Sequence, residues 1–190
     1  MLDALILVIV LAINVCISVW NCYVVGTAWH DVKALGTGFH RLLLWCGIIQ
    51  SGVGFSMPLL LVLAFAARAL LTGGEDPTLT DAEAAQMMEW IFSLWYVAVI
   101  FPILGTGLVI WLHSVKAAIE RRDFASIATA GWNSFAQISN MISAWNNIGP
   151  ALANVGEIFK ALGSSKGGGK GKVAILVIAL VILALISGFM

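Results

Sequence analysis

The sequence predicts an all-α, polytopic membrane protein with four transmembrane helices and a kinked amphipathic helical segment between the third and the fourth. Mean hydropathy is +0.98, and only 11% of the residues are charged. The apolar residues fall into four blocks, at about 2–25, 42–67, 90–112 and 173–190. Each block has about the 17–25 residues with which an α-helix crosses a bilayer. A soluble domain of this composition is excluded.

Composition divides the chain into four parts. Residues 1–115 are predicted to form a three-helix transmembrane bundle, and residues 116–163 are predicted to form uncharged amphipathic helices that contact the membrane interface or other protein. Residues 164–172 form a tether rich in glycine and lysine, and residues 173–190 form a C-terminal transmembrane anchor. Thr80 and Glu83 have the spacing of a capping box, which predicts that the third helix begins there.

The basic residues between the spans predict the orientation, because loops rich in lysine and arginine stay in the cytoplasm. The first loop contains Lys33 and ends at Arg41, whereas residues 72–89 contain five acidic residues and no basic one. Residues 116–172 contain seven basic residues. This order predicts that both chain termini lie on the outer side. Since both flanks of residues 124–156 are basic, that segment is predicted to begin and end on the inner, cytoplasmic side.

The first two spans carry residues suited to packing against each other. Asn14 and Ser18 lie one turn apart, and such a polar stripe is expected to face protein rather than lipid. The second span offers small residues and one amide for this contact: Gly47, Gln50, Ser51, Gly52 and Ser56. We expect a helix hairpin held by the amides of Asn14 and Gln50. A transport pathway lined by the same groups is the alternative.

Glycine and proline interrupt the middle of the second and third spans. These residues are Gly52, Gly54, Pro58, Pro102, Gly105 and Gly107. They predict helix kinks and close helix packing, and interrupted helices in corresponding positions also occur in transporters. No Asp, Glu, Lys or Arg lies deep in a span, which counts against ion-coupled transport. We therefore interpret them as packing or kink positions.

Residues 124–156 are the most unusual stretch, because 33 consecutive residues include no charge and no histidine. Apolar residues recur at steps of three and four with amides and hydroxyls opposite them, which predicts an amphipathic helix. Gly149-Pro150 is predicted to divide it into two helices. The residues expected to contact a partner or the interface are Trp132, Gln137, Asn140, Trp145 and Asn147.

Three placements are open for this stretch. It lies in the inner membrane interface with its tryptophans at headgroup depth, packs against other protein, or re-enters the membrane to line a pore. Surface helices usually carry lysine on the polar face, and this one has none, so protein contact is favoured nearly as much as lipid contact. In the tether that follows, Lys166, Lys170 and Lys172 are expected to lie against the anionic inner leaflet.

No set of residues indicates catalysis, a metal or another cofactor. His30, His40 and His113 lack the close spacing of a metal site, and the cysteines Cys16, Cys22 and Cys46 lie in predicted spans and are expected to be reduced. The glycine-rich tether has no Gly-Lys-Ser/Thr ending, so nucleotide binding is not expected.

The sequence therefore predicts a non-enzymatic integral membrane subunit that assembles into a homo- or hetero-oligomeric complex. The expected partners are the lipid bilayer and either further copies or other membrane subunits, and no nucleic acid. Secretion, conjugation and viral membrane assemblies contain proteins of this profile, which is analogy at the level of class. A pore or channel is the alternative, and a cofactor-binding subunit of a membrane redox complex is a third hypothesis.

Overall fold

The computed structural model describes residues 2–74, 77–163 and 169–190, except for the side chains of residues 2–7, 10 and 35. These residues form five α-helices: α1 (Leu2–Leu35), α2 (Gly38–Thr72), α3 (Asp81–Arg121), α4 (Phe124–Gly163) and α5 (Gly169–Gly188). The all-helical class is confirmed. Four of the helices, α1, α2, α3 and α5, are long and apolar enough to cross a membrane. The protein is therefore a multi-pass membrane protein.

Helix ends follow local capping chemistry. The hydroxyl of Thr80 accepts the backbone N–H of Glu83 at 3.3 Å, and the Glu83 carboxylate accepts the backbone N–H of Thr80 at 2.9 Å. This capping box confirms the predicted start of α3. Asp123 precedes α4 and accepts the backbone N–H of Ser126 at 2.8 Å. The connection between α3 and α4 is tight because Arg122 adopts a left-handed conformation, with φ 55°.

The helices follow one another up and down. In the described part of the chain α1 packs only against α2, whereas α3 packs against α2 and α4, and α5 packs against α2, α3 and α4. The two-residue turns at 36–37 and 122–123 lie at one end of the bundle, which we call the turn end; Phe39 and His113 are in ring contact there. The α2–α3 connection, the end of α4 and the start of α5 lie at the other end, the loop end.

The helices are longer than the predicted spans. α1 continues to Leu35, so the predicted 16-residue inner loop is reduced to a two-residue turn. Gly169, Lys170 and Lys172 were assigned to the tether, but they form the first turn of α5. Lys166 lies outside the described residues.

The core is concentrated towards the loop end, where α2, α3, α4 and α5 meet. Its largest fully buried apolar side chains are Leu60, Met87, Ile91, Ile158, Val177 and Val181. The predicted lipid-facing anchor, α5, therefore contributes one whole face to this core, while Ile175 and Ile182 remain exposed. A uniformly apolar helix has no polar stripe, so its sequence cannot indicate which face packs against protein.

The predicted division at Gly149-Pro150 is wrong, because α4 is a single helix of 40 residues with Pro150 inside it. Pro58 and Pro102 likewise lie within continuous helices α2 and α3. A proline removes one backbone N–H and leaves one carbonyl, four residues earlier, without its partner. Membrane helices tolerate this loss when neighbouring groups compensate. The transporter-like helix breaks are therefore not found in the described residues.

α4 runs antiparallel to α3 along nearly its whole length. Its side-chain hydrogen bonds to α3 run from Ser134 beside Trp111, towards the turn end, to Asn154 beside Ser93 and Glu89, towards the loop end. The two flanks of α4 therefore lie at opposite ends of the bundle, whereas the sequence places both on the inner side of the membrane, which stays a prediction. The predicted orientation depends on counting the basic residues of 116–172 as those of one loop. In the structure, helix α4 separates the basic residues at 116–122 from those at 160–172.

The acidic and basic connections that were predicted on opposite sides lie at the same end. Lys170 and Lys172 border a pocket that is also lined by Leu71 and Glu83. Nine of the ten lysines and arginines lie in the described residues, and they divide nearly evenly between the ends. The turn end has Lys33, Arg41, Lys116, Arg121 and Arg122, and the loop end has Arg68, Lys160, Lys170 and Lys172. Basic charge therefore does not distinguish the ends, and the orientation of the termini stays a prediction.

Candidate functional site

α4 has its polar side towards the protein and its apolar side outward. Ser134, Gln137, Ser143 and Asn154 contact α3. Apolar side chains at a seven-residue spacing on another side are exposed: Ile138, Trp145, Leu152 and Phe159. An amphipathic helix of a soluble protein has the opposite arrangement, with its apolar side towards the protein. The arrangement in α4 suits a helix whose apolar side contacts lipid.

Hydrogen bonds join α3 to α4 at four levels, which together we call the α3–α4 seam. The indole N–H of Trp111 donates to Ser134 Oγ at 2.7 Å, and Gln137 Nε2 donates to the Leu104 carbonyl oxygen at 3.2 Å. The hydroxyls of Tyr96 and Ser143 are 3.3 Å apart. Asn154 Nδ2 donates to Ser93 Oγ at 2.9 Å and to Glu89 Oε1 at 3.0 Å. These bonds satisfy polar groups that lipid could not.

Three helices meet at a polar junction in the middle of the bundle. Gln50 Nε2 of α2 donates to Thr106 Oγ1 of α3 at 3.3 Å, and Gln137 of α4 is only 5% exposed. A Cβ atom at Gly107 would overlap the Oε1 atom of Gln137. Gly107 is therefore a close-packed position at which a side chain has no space. Gln137 Oε1 is buried and has no hydrogen-bond partner among the described residues.

The predicted hairpin of α1 and α2 forms, but its amides have other partners. Ser18 is 2% exposed, and its Oγ atom occupies the space that a Cβ atom at Gly54 would need. Asn14 donates to the sulfur atom of Met57 at 3.5 Å, not to Gln50. The expected Asn14–Gln50 contact is wrong because Gln50 points towards α3.

The other predicted packing positions differ in their surroundings. Gly52 lies against the ring of Phe189, and Gly188 lies against the Gly52 carbonyl, so this glycine pair brings α5 close to α2. Ser56 of α2 accepts the indole N–H of Trp95 of α3 at 2.9 Å, measured to its Oγ atom. A Cβ atom at Gly105 would meet no heavy atom within 4 Å, so its glycine is not required for packing.

A column of asparagines with a seven-residue period, which was not predicted, lies on one flank of α4. Asn133, Asn140, Asn147 and Asn154 recur every seven residues, and this spacing places side chains in one column of a supercoiled helix. At 1.5 Å per residue the column is about 31 Å long, close to the roughly 30 Å thickness of the hydrocarbon layer. A test for a seven-residue period of one residue type would have found it.

The asparagine column is only partly satisfied within the chain. Asn154 bonds to α3, and Asn147 donates to the Ser143 carbonyl oxygen of its own helix at 2.9 Å. In the described part of the chain, no side-chain hydrogen bond involves Asn133, Asn140 or the exposed Asn146. The neighbouring positions are mostly small: Ala136, Ser139, Ser143 and Ala153. We call these small residues, Asn146 and the column together the polar flank of α4.

Two grooves border the polar flank between α3 and α4. One of about 460 Å³ is lined in part by Tyr96, Asn147 and Asn154, and another of about 360 Å³ is lined in part by Thr129 and Asn133. The walls of both grooves are mainly apolar, and these amides and hydroxyls place hydrogen-bonding groups along them, so the flank can bind another helix that carries polar side chains.

The five predicted contact residues do not form one surface. Gln137 points inward, Asn140 and Asn147 lie on the polar flank, and Trp145, 87% exposed, lies on the apolar side. Trp132 is exposed and packs against Phe135, with ring centroids 6.0 Å apart. These positions therefore suit different neighbours.

Metal-ligating side chains are scattered. Among the described residues no group of three His, Cys, Asp or Glu side chains could hold a metal ion. All three cysteines are free, and His40 Nδ1 is hydrogen-bonded to Thr37 Oγ1 at 2.8 Å.

No protein-family model, curated protein or solved structure matches this chain. Its function is therefore inferred from the geometry of its own residues.

Proposed function

We propose that this protein is a non-enzymatic membrane subunit that assembles with further membrane helices through the polar flank of α4, either on copies of itself or on other subunits. The observation that carries the proposal is the set of amides of the half-buried Asn133 and Asn140 and the exposed Asn146, for which the described chain provides no hydrogen-bond partner. An amide left unpaired in hydrocarbon costs several kcal/mol. A partner helix on this flank removes that cost.

The proposal includes a fifth membrane crossing by α4. Its supports are the length of the helix, its antiparallel course along α3, its outward apolar side and the absence of charge from residues 124–156. By hydropathy and length alone, α4 is not among the four helices that qualify as membrane spans. Hydropathy counts its polar side chains as if they faced lipid, although several of them contact α3. With α4 across the membrane, α5 begins at the loop end, and its last residues lie against Gly52 and Ser56 in the middle of α2.

The chemistry of the polar flank suits helix association. Hydrogen bonds between polar side chains of membrane helices contribute about 0.6–2 kcal/mol each, and small residues let helix backbones approach. Ala136, Ser139 and Ala153 are small residues beside the column. A polar residue repeated at one position of a seven-residue period also fixes the register of paired helices.

A pore is the second candidate, and the same column is the observation that favours it. In a ring of chains, the polar flanks would face a common axis and form an uncharged water-lined path about as long as the hydrocarbon is thick. The glycines first considered for such a path do not support it. The space beside Gly54 is occupied by Ser18 Oγ. The space beside Gly105 is open, and no side chain lines it within 4 Å.

The test is the mass of the intact complex in a mild detergent. For the double variant Asn140→Leu/Asn147→Leu we expect the mass to fall to that of one chain while the helix content stays unchanged. The matched control is Ile138→Leu/Ile142→Leu on the exposed apolar side, which should leave the mass unchanged. An Asn140→Leu/Asn147→Leu complex of unaltered mass would exclude the polar flank as the contact surface. Solute flux through liposomes separates a pore from a closed assembly.

A further inference from the structure

A pocket of about 430 Å³ opens at the loop end between α2, the α2–α3 connection, α3 and α5. Its apolar walls are Leu71, Leu79, Met87, Trp90, Val173 and Leu176. Leu79, Met87 and Trp90 are themselves buried, so the interior of the pocket belongs to the rigid core. Its volume lies within the range of sites that hold small ligands, roughly 300–1,000 Å³.

The mouth of the pocket has an excess of positive charge. Lys170 and Lys172 of α5 line it together with Glu83 of α3, and both lysines are exposed. Neither lysine forms an ion pair with any described residue. The Glu83 carboxylate is hydrogen-bonded to the backbone N–H and the hydroxyl of Thr80, each at 2.9 Å, and Lys170 attracts it from beyond ion-pair distance. The two ammonium groups are therefore available to an anion.

The lysines lie where the apolar part of α5 begins. Every residue from Val173 to Ile186 is apolar, so the side chains of Lys170 and Lys172 are expected at the boundary between headgroups and hydrocarbon. The apolar walls of the pocket lie just below them. A ligand that matches this arrangement has an anionic group at the level of the lysines and an apolar chain that extends from it towards the hydrocarbon.

We propose that this pocket binds an anionic phospholipid, with its phosphate between Lys170 and Lys172 and part of an acyl chain against Met87, Trp90 and Leu176. Lysine binds phosphate as a compact point charge, and basic residues beside a membrane span attract anionic headgroups. The pocket opens at the membrane boundary, so a bilayer lipid reaches it without a separate binding partner. The site lies apart from the asparagine column, and the proposal does not depend on assembly.

The experiment uses the full-length chain in phosphatidylcholine nanodiscs with a trace of photoreactive phosphatidylglycerol or photoreactive phosphatidylcholine. After illumination, mass spectrometry identifies the labelled peptides. We expect the phosphatidylglycerol probe to label the peptides that contain Met87, Trp90 and Leu176. In Lys170→Gln/Lys172→Gln we expect about tenfold less label there, because two attractive charges are lost. The phosphatidylcholine probe should give the lower level in both proteins.

Two controls locate the effect. Lys33→Gln/Arg41→Gln removes two charges from a basic and aromatic pocket at the turn end, lined also by Trp29 and Trp45, and should leave the loop-end label unchanged. Lys170→Arg/Lys172→Arg keeps the charge and should keep the label, which separates charge loss from misfolding.

Equal labelling by the two probes, or labelling that survives Lys170→Gln/Lys172→Gln, would overturn the proposal and show that the pocket holds bulk lipid. Displacement of the probe by millimolar inorganic phosphate would also overturn it, because the site would then recognise free phosphate rather than a lipid.

Discussion

The side-chain amides of Gln50 and Gln137 approach the same glycine from opposite helices. At Gly107 of α3 an added Cβ atom would overlap Gln137 Oε1 of α4, with Gln50 Nε2 of α2 3.5 Å away. Gln50 donates to Thr106 one residue earlier, and Gln137 donates to the Leu104 carbonyl oxygen. The three helices therefore meet at a point where polar groups pack tightly and only glycine fits.

Gly107→Ala is expected to destabilise the protein by about 1–3 kcal/mol, the usual range for an overpacked core position. The added methyl group forces Gln137 to move. The measurement is thermal unfolding in detergent, and Gly105→Ala is the matched control because nothing lies within 4 Å of that position. Adding Gln137→Ala to Gly107→Ala should recover part of the loss. Additive losses in this double-mutant cycle would show that the two side chains are not in contact.

Gln137→Leu is expected to change the unfolding free energy by no more than about 1 kcal/mol. The substitution removes the bond to the Leu104 carbonyl, and it also removes a buried oxygen that has no partner. Because Gln137 points away from the polar flank, the mass of the complex should not change, in contrast to Asn140→Leu/Asn147→Leu. A smaller complex for Gln137→Leu would mean that the α3–α4 seam itself takes part in assembly.

Gly54→Ala is expected to separate α1 from α2. The new Cβ atom would occupy the space of Ser18 Oγ, and in the described chain α1 has no other helix to hold it. The readout is a disulfide between cysteines introduced at Val25 and Gly47, which lie in contact across the hairpin. Its yield should fall in Gly54→Ala and stay unchanged in Gly26→Ala, where nothing lies within 4 Å. Equal yields would place the tight contact elsewhere.

Cysteines placed at the two ends of α4 should react with a membrane-impermeant maleimide from opposite sides. Phe124 and Phe159 are both exposed and lie near the turn end and the loop end, respectively. The background is Cys16→Ala/Cys22→Ala/Cys46→Ala, which removes the free thiols. Complete reaction of both Phe124→Cys and Phe159→Cys from one side, with neither reacting from the other, would contradict a membrane crossing by α4 in any mixture of orientations.

Acid should weaken the start of α4 through Asp123. The backbone N–H and the hydroxyl of Ser126 lower the pKa of the Asp123 carboxyl below its ordinary value. A carboxyl whose pKa is lowered by folding contributes stability above its unfolded pKa, and this contribution is lost as the pH falls below about 4. Asp123→Asn keeps a capping acceptor but does not titrate, so thermal melts from pH 7 to 3 should show a shallower decline than wild type. Parallel declines would mean that other carboxyls dominate.

The spans and the capping box followed from the sequence, because runs of apolar residues and Thr80-to-Glu83 spacing are local signals. The course of α4 along α3 did not follow from the sequence. The basic residues on both flanks of α4 and its many polar side chains both indicated a segment outside the helix bundle. Gln137, Ser134 and Asn154 counted as polar surface although they contact α3, and Pro150 indicated a break that the helix absorbs. The hydrogen-bond partners of Gln50 and Asn14 depend on how each helix is rotated about its own axis. Small residues occur on several sides of α2, so the sequence does not indicate which side faces α1 and which faces α3.

The nearly even division of the described basic residues between the two ends has a consequence for how the chain enters a membrane. With α4 across the bilayer, neither end offers the excess of lysine and arginine that gives insertion a direction. Newly made copies would then insert in both directions in comparable numbers. The asparagine column has the same spacing in either direction, so in two inverted copies Asn133 would face Asn154 and Asn140 would face Asn147. Such a pair would have a twofold axis in the plane of the membrane, and one added lysine at either end would bias which orientation predominates.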